Sequence, residues 1–413
     1  MNQTWVMESM SNQELIYAVS RRIESARSRA MRDLPADRWK TIEKFMEHCQ
    51  AEGLTKARIL RLLYDLTVIG KYIDTSFEAA TTDDIKRLVA NIEGSHYSYH
   101  SKYGMRVTIK KFYKWLKGDC EIFPPEVRWI KNNHKNDRIK LPEDMLTERE
   151  ILTLIKAATK PRDKAMIALV AETGCRIGEL LSCKIKNYKK DADGRTAHVF
   201  LNGKTGFRSV MIISCVPYMD EWINLHPFSS DPNAFIWCAD SGKLLTYARV
   251  RTIFAEIAKR AGIKKATNPH NFRHTRATYL ASRFTESQMK QYLGWTQASD
   301  MAAVYVHLSG RDVDKTVMKL NGIEVKDDEP EESPLQPKEC FRCQKLCEAS
   351  SKFCQGCGSI LDKEEMDRLI KEDLDRKKID EYMNAIIHIP GVKEFLEEKV
   401  KQVANNDQKP GRN

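Results

Sequence analysis

Apolar residues recur three and four positions apart along most of this 413-residue chain, a period that packed helices satisfy and sheets do not. Trp39, Ile42, Phe45 and Met46 draw one such stripe, and Ile59, Leu60, Leu62, Leu63 and Leu66 draw another. The stripe fails in two places. Pro124-Pro125, the polar run Lys131 to Asn136 and Pro142 interrupt it first, and the acidic, Pro-containing stretch Val325 to Pro334 interrupts it again. These breaks divide the chain into an N-terminal amphipathic helix (1–34), a helical domain (35–119), a linker (120–145), a second domain (146–322), an acidic linker (323–338), a cysteine-bearing segment (339–361) and a helical tail (362–405).

The second domain carries sharper signals. Thr147 and Glu150 stand at capping-box spacing. Helices are expected over 147–158, 161–172, from about 176, and over 216–225, 246–261, 269–283, 286–293 and 299–307, with one β-hairpin at about 197–213. In the first domain, Thr82-Asp83-Asp84 offers a cap before Ile85, Leu88 and Val89. The expected class is mainly α with a small β component (α+β).

Lys and Arg outnumber Asp and Glu by 68 to 57, a net charge of +11. That balance favours a polyanionic partner through counterion release. No run of about eighteen apolar residues occurs, so no membrane-spanning helix is expected. Met1 to Ala30 is polar and amphipathic, unlike a secretory leader. Six of the eleven cysteines are scattered singly (Cys49, Cys120, Cys175, Cys183, Cys215 and Cys238), which fits reduced thiols in a cytoplasmic setting.

The other five crowd between Cys340 and Cys357. Cys340-Phe-Arg-Cys343 and Cys354-Gln-Gly-Cys357 form two knuckles with ten residues between them, and Gly358 follows the second. Four thiolates at this spacing suit a tetrahedral structural Zn2+; redox or unliganded thiols are the alternative. Bound metal would contribute on the order of 10 kcal/mol to a segment too small for its own core. Cys347 is the odd thiol and is not expected to be a ligand.

One helix of the first domain, Tyr97 to Leu116, interleaves Lys102, Arg106, Lys110, Lys111 and Lys114 with Tyr99, Tyr103, Phe112, Tyr113 and Trp115. A basic, aromatic helix can lie along DNA phosphates. A solvated face over an aromatic core has the same composition.

Six polar residues of the second domain sit in contexts that each suit one task. Asn268 is a natural cap and Pro269 a natural first-turn residue, so His270 and Arg273 share one face at a helix N-terminus, where orphan amides favour an anion. Arg176 follows the Thr173-Gly174-Cys175 turn. Two guanidiniums can grip both non-bridging oxygens of one phosphate. Lys204, at the hairpin tip, can protonate a leaving oxygen; His270 can act as base; Trp295 supplies one indole N–H; Tyr305 supplies a phenol nucleophile. Read singly, each has an ordinary explanation as a surface cap, a solvated lysine or a core aromatic. Their joint occurrence in this order is what carries weight.

Glu172 to Leu180 with its Arg176, the stretch Pro269-His270-Asn271-Phe272-Arg273-His274-Thr275, and Leu293-Gly294-Trp295 with Tyr305 resemble the boxes of the tyrosine recombinase (phage integrase, Xer-like) family. Trp295 stands where a histidine is commoner, and Lys204 in its Gly-Lys-Thr hairpin resembles the family's catalytic lysine. The resemblance covers about residues 36 to 321, including a helical DNA-gripping domain. It implies site-specific DNA recombination or integration through a 3′-phosphotyrosyl intermediate, with no cofactor for catalysis, on double-stranded DNA, by a tetramer on two DNA sites. It also implies a C-terminal helix exchanged between neighbours, for which Asp312 to Leu320 is the candidate. The cysteine segment resembles the small zinc ribbons of archaeal proteins. Two alternatives share parts of this set: a non-catalytic DNA-binding regulator on the same fold, and a type IB topoisomerase.

Overall fold

The computed structural model describes residues 12–118, 121–132, 142–203, 206–308, 317–318, 320–322 and 333–406. Its class is mainly helical with small sheets.

The first domain is built from helices α1 (Asn12–Tyr17), α2 (Val19–Asp33), α3 (Ala36–Ala51), α4 (Lys56–Tyr72), α5 (Thr82–Gly94) and α6 (Tyr99–Leu116). Their apolar stripes meet in one core around Phe45, Leu63, Leu66, Phe77, Ile85, Ile109 and Phe112. Phe112 sits edge-on to Phe45 and Phe77, at 5.2 and 4.8 Å between ring centres, the geometry that ring quadrupoles favour. The cap of α5 is Thr81, one residue earlier than expected, because its hydroxyl and the Asp84 carboxylate satisfy each other's backbone amides.

The N-terminal stretch expected to be a single helix is two. Ala18 takes left-handed angles (φ 48°, ψ 47°) between α1 and α2. The Glu14 carboxylate accepts from the Ser20 amide at 3.0 and 3.1 Å and from its hydroxyl at 3.0 Å, so the break is itself capped. Ile16 joins the core of the second domain, while Val19 joins that of the first.

The second domain comprises α7 (Glu148–Ala157), α8 (Pro161–Thr173), α9 (Ile177–Leu181), the strands β1 (Tyr188–Lys190), β2 (Ala197–Gly203) and β3 (Gly206–Ile212), then α10 (Val216–Asn224), α11 (Tyr247–Arg260), α12 (Pro269–Ala281), α13 (Glu286–Leu293) and α14 (Met301–Leu308). The sheet is antiparallel in the order β1-β2-β3, with Gly203 opposite Gly206 at the hairpin end. Ala197, Val199 and Leu201 point inward, meeting Val210 and Ile212 in a core that also holds Leu169, Leu180, Trp237, Phe254 and Phe272. Thr147 and Glu150 form the expected reciprocal cap on α7. A separate small cluster of Ala277, Leu280, Met289, Leu293, Ala302 and Tyr305 binds α12, α13 and α14 together.

Beyond residue 333, strands β4 (Lys338–Glu339) and β5 (Leu346–Cys347) pair antiparallel beside the cysteine cluster, in which Cys347 packs with Cys340 and Cys354. This module rests on the second domain. Leu335 and Leu346 pack against that domain's core, and Arg195 pairs with Glu339 at 2.5 Å. Two charged helices follow, α15 (Lys363–Ile387) and α16 (Val392–Asn406). No helix among the described residues is long and apolar enough to cross a membrane.

Candidate active site

The N-terminus of α12 organises one wall of the site. The Asn268 side chain accepts from the Asn271 amide at 3.1 Å and Pro269 occupies the first turn. This presents His270 and Arg273 together on one face. Arg273 is 6 % exposed and donates through Nη1 to the Gly174 carbonyl (2.8 Å) and through Nη2 to the Leu293 carbonyl (2.7 Å). Its guanidinium lies 5.4 Å above the Trp295 ring. Burial, then the neighbouring charge of Arg176, lowers its pKa to about 10.

Arg176 precedes α9. Its Nη1 donates to Glu179 Oε1 (2.9 Å) and to the Gly294 carbonyl (3.0 Å), while its amide donates to Glu179 Oε2 (2.9 Å). Glu179 is buried and serves a second arginine: Arg208 Nη2 donates to Oε2 at 2.8 Å. Burial works to raise the Glu179 carboxyl, but the bonds and charges of Arg208 and Arg176 outweigh it and hold the group below the ordinary range. Arg208 Nε donates in turn to the Tyr292 carbonyl at 3.0 Å.

The last carbonyls of α13 are therefore shared out in sequence. Tyr292 accepts from Arg208, Leu293 from Arg273 and Gly294 from Arg176. A helix C-terminus carries unsatisfied carbonyls and the negative end of the dipole, so it collects cations readily. Gly294 closes the helix in the left-handed conformation (φ 64°), and the chain passes directly into Trp295.

Trp295 lies flat against Tyr305, with ring centres 5.7 Å apart and planes 9° from parallel. Tyr305 is 4 % exposed. Burial raises its phenol to about 12 against the opposing pull of Arg273. Its hydroxyl is hydrogen-bonded to Nδ1 of His274, whose ring packs edge-on to His270 at 4.2 Å. The acid–base partner nearest the phenol is thus His274, one helical turn beyond the histidine selected from the sequence.

Arg176, His270, Arg273, Trp295 and Tyr305 line one open basin of about 820 Å³ together with Arg208 and Lys290. No described residue of that lining is acidic. A single buried carboxylate, Glu179, faces three guanidiniums, so the basin retains a positive surplus suited to an anion. Lys204, the remaining member of the expected set, lies outside the described residues; Gly203 and Gly206 bracket it and Thr205. Arg208 and His274 are the side chains that reasoning from sequence did not select. Arg208 left one sign: it shares strand parity with the buried Val210 and Ile212.

Helix α6 is no isolated basic ridge. It packs inside the first domain, and its cations reach neighbouring elements. Lys102 donates to the Glu93 carbonyl, Arg106 pairs with the Glu93 carboxylate (3.2 Å), Lys110 donates to the Ile130 carbonyl (3.1 Å) and lies over Phe123, and Lys111 pairs with Glu52 (2.9 Å). Lys114 is half-buried on the same helix.

Cys340, Cys343, Cys354 and Cys357 bring their sulfurs within 4.8 Å of one another. The pairs Cys340–Cys357 and Cys343–Cys354 are each 3.5 Å apart. Tetrahedral thiolate coordination with Zn–S near 2.3 Å places sulfurs about 3.8 Å apart, so these four fit zinc. The Gly356 amide donates to the Cys354 sulfur. Cys347 is buried against the cluster but is not one of the four.

Residues 144–311 match the profile of the phage integrase family. The chain is similar to the tyrosine recombinase XerA of Pyrococcus furiosus, 24% identical over 295 residues that cover 70% of this chain and 96% of that protein. It is also similar to a tyrosine recombinase of Thermosipho africanus, 27% identical over 299 residues, 68% of this chain and 99% of the other. Among solved structures, the fold is shared with the XerH site-specific recombinase in a post-cleavage complex with its palindromic difH substrate (TM-score 0.56, 17% identity, 76% of this chain and 92% of that one). It is likewise shared with a lambda integrase dimer bound to a COC′ core site (TM-score 0.53, 17% identity, 66% and 78%).

Proposed function

Since residues 144–311 are a phage integrase family domain and the chain is a tyrosine site-specific recombinase, we propose that Tyr305 is its nucleophile. The Tyr305 oxygen attacks a DNA phosphorus, the bond from phosphorus to the 5′ oxygen breaks, and a 3′-phosphotyrosyl link forms. The phenol's proton passes to His274. The 5′ oxygen takes a proton from Lys204 as it leaves. Arg176 and Arg273 hold the non-bridging oxygens, with His270 and the Trp295 N–H as further donors. A 5′ hydroxyl from a partner strand reverses the step. One phosphoester replaces another, so the exchange draws on no nucleotide hydrolysis.

The observation that carries this reading is the convergence of Arg176, Arg273, His270, Trp295 and Tyr305 on one basin without an acidic lining. The partner is double-stranded DNA, bound between the two domains, with Lys102, Arg106, Lys110, Lys111 and Lys114 of α6 on the gripping side. Their carboxylate and carbonyl partners are exchanged for phosphates on binding. A tetramer on two DNA sites carries out the full reaction. Residues 339–361 form a zinc ribbon in which the four knuckle cysteines hold the ion.

Covalent trapping on a nicked suicide duplex tests the chemistry. The full chain should form a denaturation-resistant protein–DNA adduct that Tyr305→Phe cannot form while still binding the duplex. Binding without any adduct in the parent chain would leave a non-catalytic DNA-binding protein on this fold.

A further inference from the structure

We propose that Arg208 is a positioning residue for the DNA-cleaving site, holding Arg176 through Glu179 and locking the β2–β3 hairpin to the end of α13. This rests on the recombinase reading and assigns a role to a residue outside the six selected from sequence.

Arg208 has nothing to gain from solvent. Its side chain is 9% exposed, on the inward face of β3. Its contacts run in two directions. Nη2 bonds Glu179 Oε2 (2.8 Å), the carboxylate that takes Arg176 through both its side chain and its amide. Nε bonds the Tyr292 carbonyl (3.0 Å), immediately before the two carbonyls that hold Arg273 and Arg176. A planar fork makes both bonds at once; a lysine ammonium on a flexible stem cannot hold them in the same plane.

The hairpin is tied into the same knot. A Cβ placed on Gly203 would fall 2.3 Å from Glu179 Oε1, and one on Gly294 would fall 2.5 Å from Arg208 Nη1. The backbone of β2 therefore rests on the carboxylate that Arg208 steadies, and the turn into Trp295 rests on the guanidinium itself. Nη1 is buried without a hydrogen-bond partner among the described residues, so the fork's anchoring rests on the Nη2 and Nε bonds.

The test uses the full chain and single-turnover trapping on a nicked duplex at saturating enzyme, with duplex affinity and thermal unfolding measured beside it. Arg208→Met should slow trapping about a hundredfold, the scale of a 1 Å misplacement of catalytic groups, while affinity changes less than about threefold. Arg208→Lys keeps the charge and should lose at least about tenfold, which covers the case in which Arg208→Met fails to fold. Combining Arg208→Met with Glu179→Gln should cost little beyond the larger single loss, because both act through one link.

A 5′-phosphorothiolate bridge, whose sulfur leaves without protonation, separates the two halves of the proposal. Partial rescue of Arg208→Met on that substrate locates part of its effect at the hairpin; equal loss on both substrates locates it wholly at Arg176. The proposal is overturned if Arg208→Lys traps within about threefold of the parent, or if each variant's loss is matched by its loss of duplex affinity. Absence of trapping in the parent would instead overturn the recombinase reading itself.

Discussion

His274 and Tyr305 are joined by a hydrogen bond between the imidazole Nδ1 and the phenol oxygen, across the contact between α12 and α14. Burial raises the phenol to about 12, so near neutral pH it is protonated and needs a base. In His274→Gln, attack should depend on the small fraction of free phenolate. Trapping should then be slower by about a hundredfold near pH 7 and rise about tenfold per pH unit between pH 7 and 9. The parent should rise less steeply. Identical slopes in the two proteins would remove His274 as the base.

Arg273 is expected to matter for stability as well as for chemistry. Arg273→Ala strands the Gly174 and Leu293 carbonyls in a buried setting, at a cost of about 1–3 kcal/mol each. Arg176 is more exposed, so Arg176→Ala should unfold closer to the parent while losing trapping to a similar degree. Denaturant titration of the two variants checks the order.

Gly203→Ala should be disproportionately harmful for a single methyl. Its Cβ would overlap the Glu179 carboxylate, and the displaced acid carries both Arg176 and Arg208 with it. A loss of about 1–3 kcal/mol in stability, together with slower trapping, is the expected outcome. A variant that unfolds and cleaves like the parent would show that the hairpin base moves freely.

Much of this was legible because it is local. Helix bounds, the Thr147–Glu150 cap and the Asn268-Pro269 start depend on neighbours a few residues away, and the stripe of Ile59 to Leu66 can hardly be read otherwise. What escaped is set by distant parts of the chain. The pairing of Lys111 with Glu52 and Arg106 with Glu93 joins separate helices, so a helix that reads as a basic face is half-buried. Strand β1 is three residues long and exists by pairing with β2. The break at Ala18 appears only once Ile16 and Val19 are drawn into different cores. The residues of the basin follow the same division. His270 and Arg273 share a helical turn, whereas Arg208 is tied to Glu179 and Tyr292 from far along the chain.

Metal content separates the cysteines. The parent chain should carry about one zinc, and Cys340→Ser should lose it together with the order of residues 339–361. Cys347→Ser should keep the metal, since Cys347 is buried outside the four sulfurs. Loss of zinc in Cys347→Ser would redraw the ligand set.

The seat of the cysteine module should respond to protonation of Glu348. Glu348 is buried against Glu221, with Lys164 and Ser350 nearby, and burial holds its carboxyl above the ordinary range, with Glu221 adding to the shift. A raised acid stabilises the fold fully below its unfolded value near about 4.3, and that contribution is lost as pH rises through the folded value. Hydrogen exchange in residues 338–350 should therefore quicken as pH climbs out of the acidic range, after correction for intrinsic rates. Glu348→Gln should flatten the trend and strengthen docking near neutral pH.

The step at Ala18 changes what the first domain is. With Ile16 of α1 seated in the core of the second domain and Val19 of α2 in that of the first, the first domain is joined to the second at both of its ends. It cannot swing as an arm on one tether. Opening around a duplex has to carry α1 along, or else pull the buried Ile16 out of apolar contact at about 2–3 kcal/mol and part Tyr17 from one of the two cores it packs against. Closure on DNA would recover the same contacts, so a few residues far from the exchanged phosphodiester would set how readily the duplex is released.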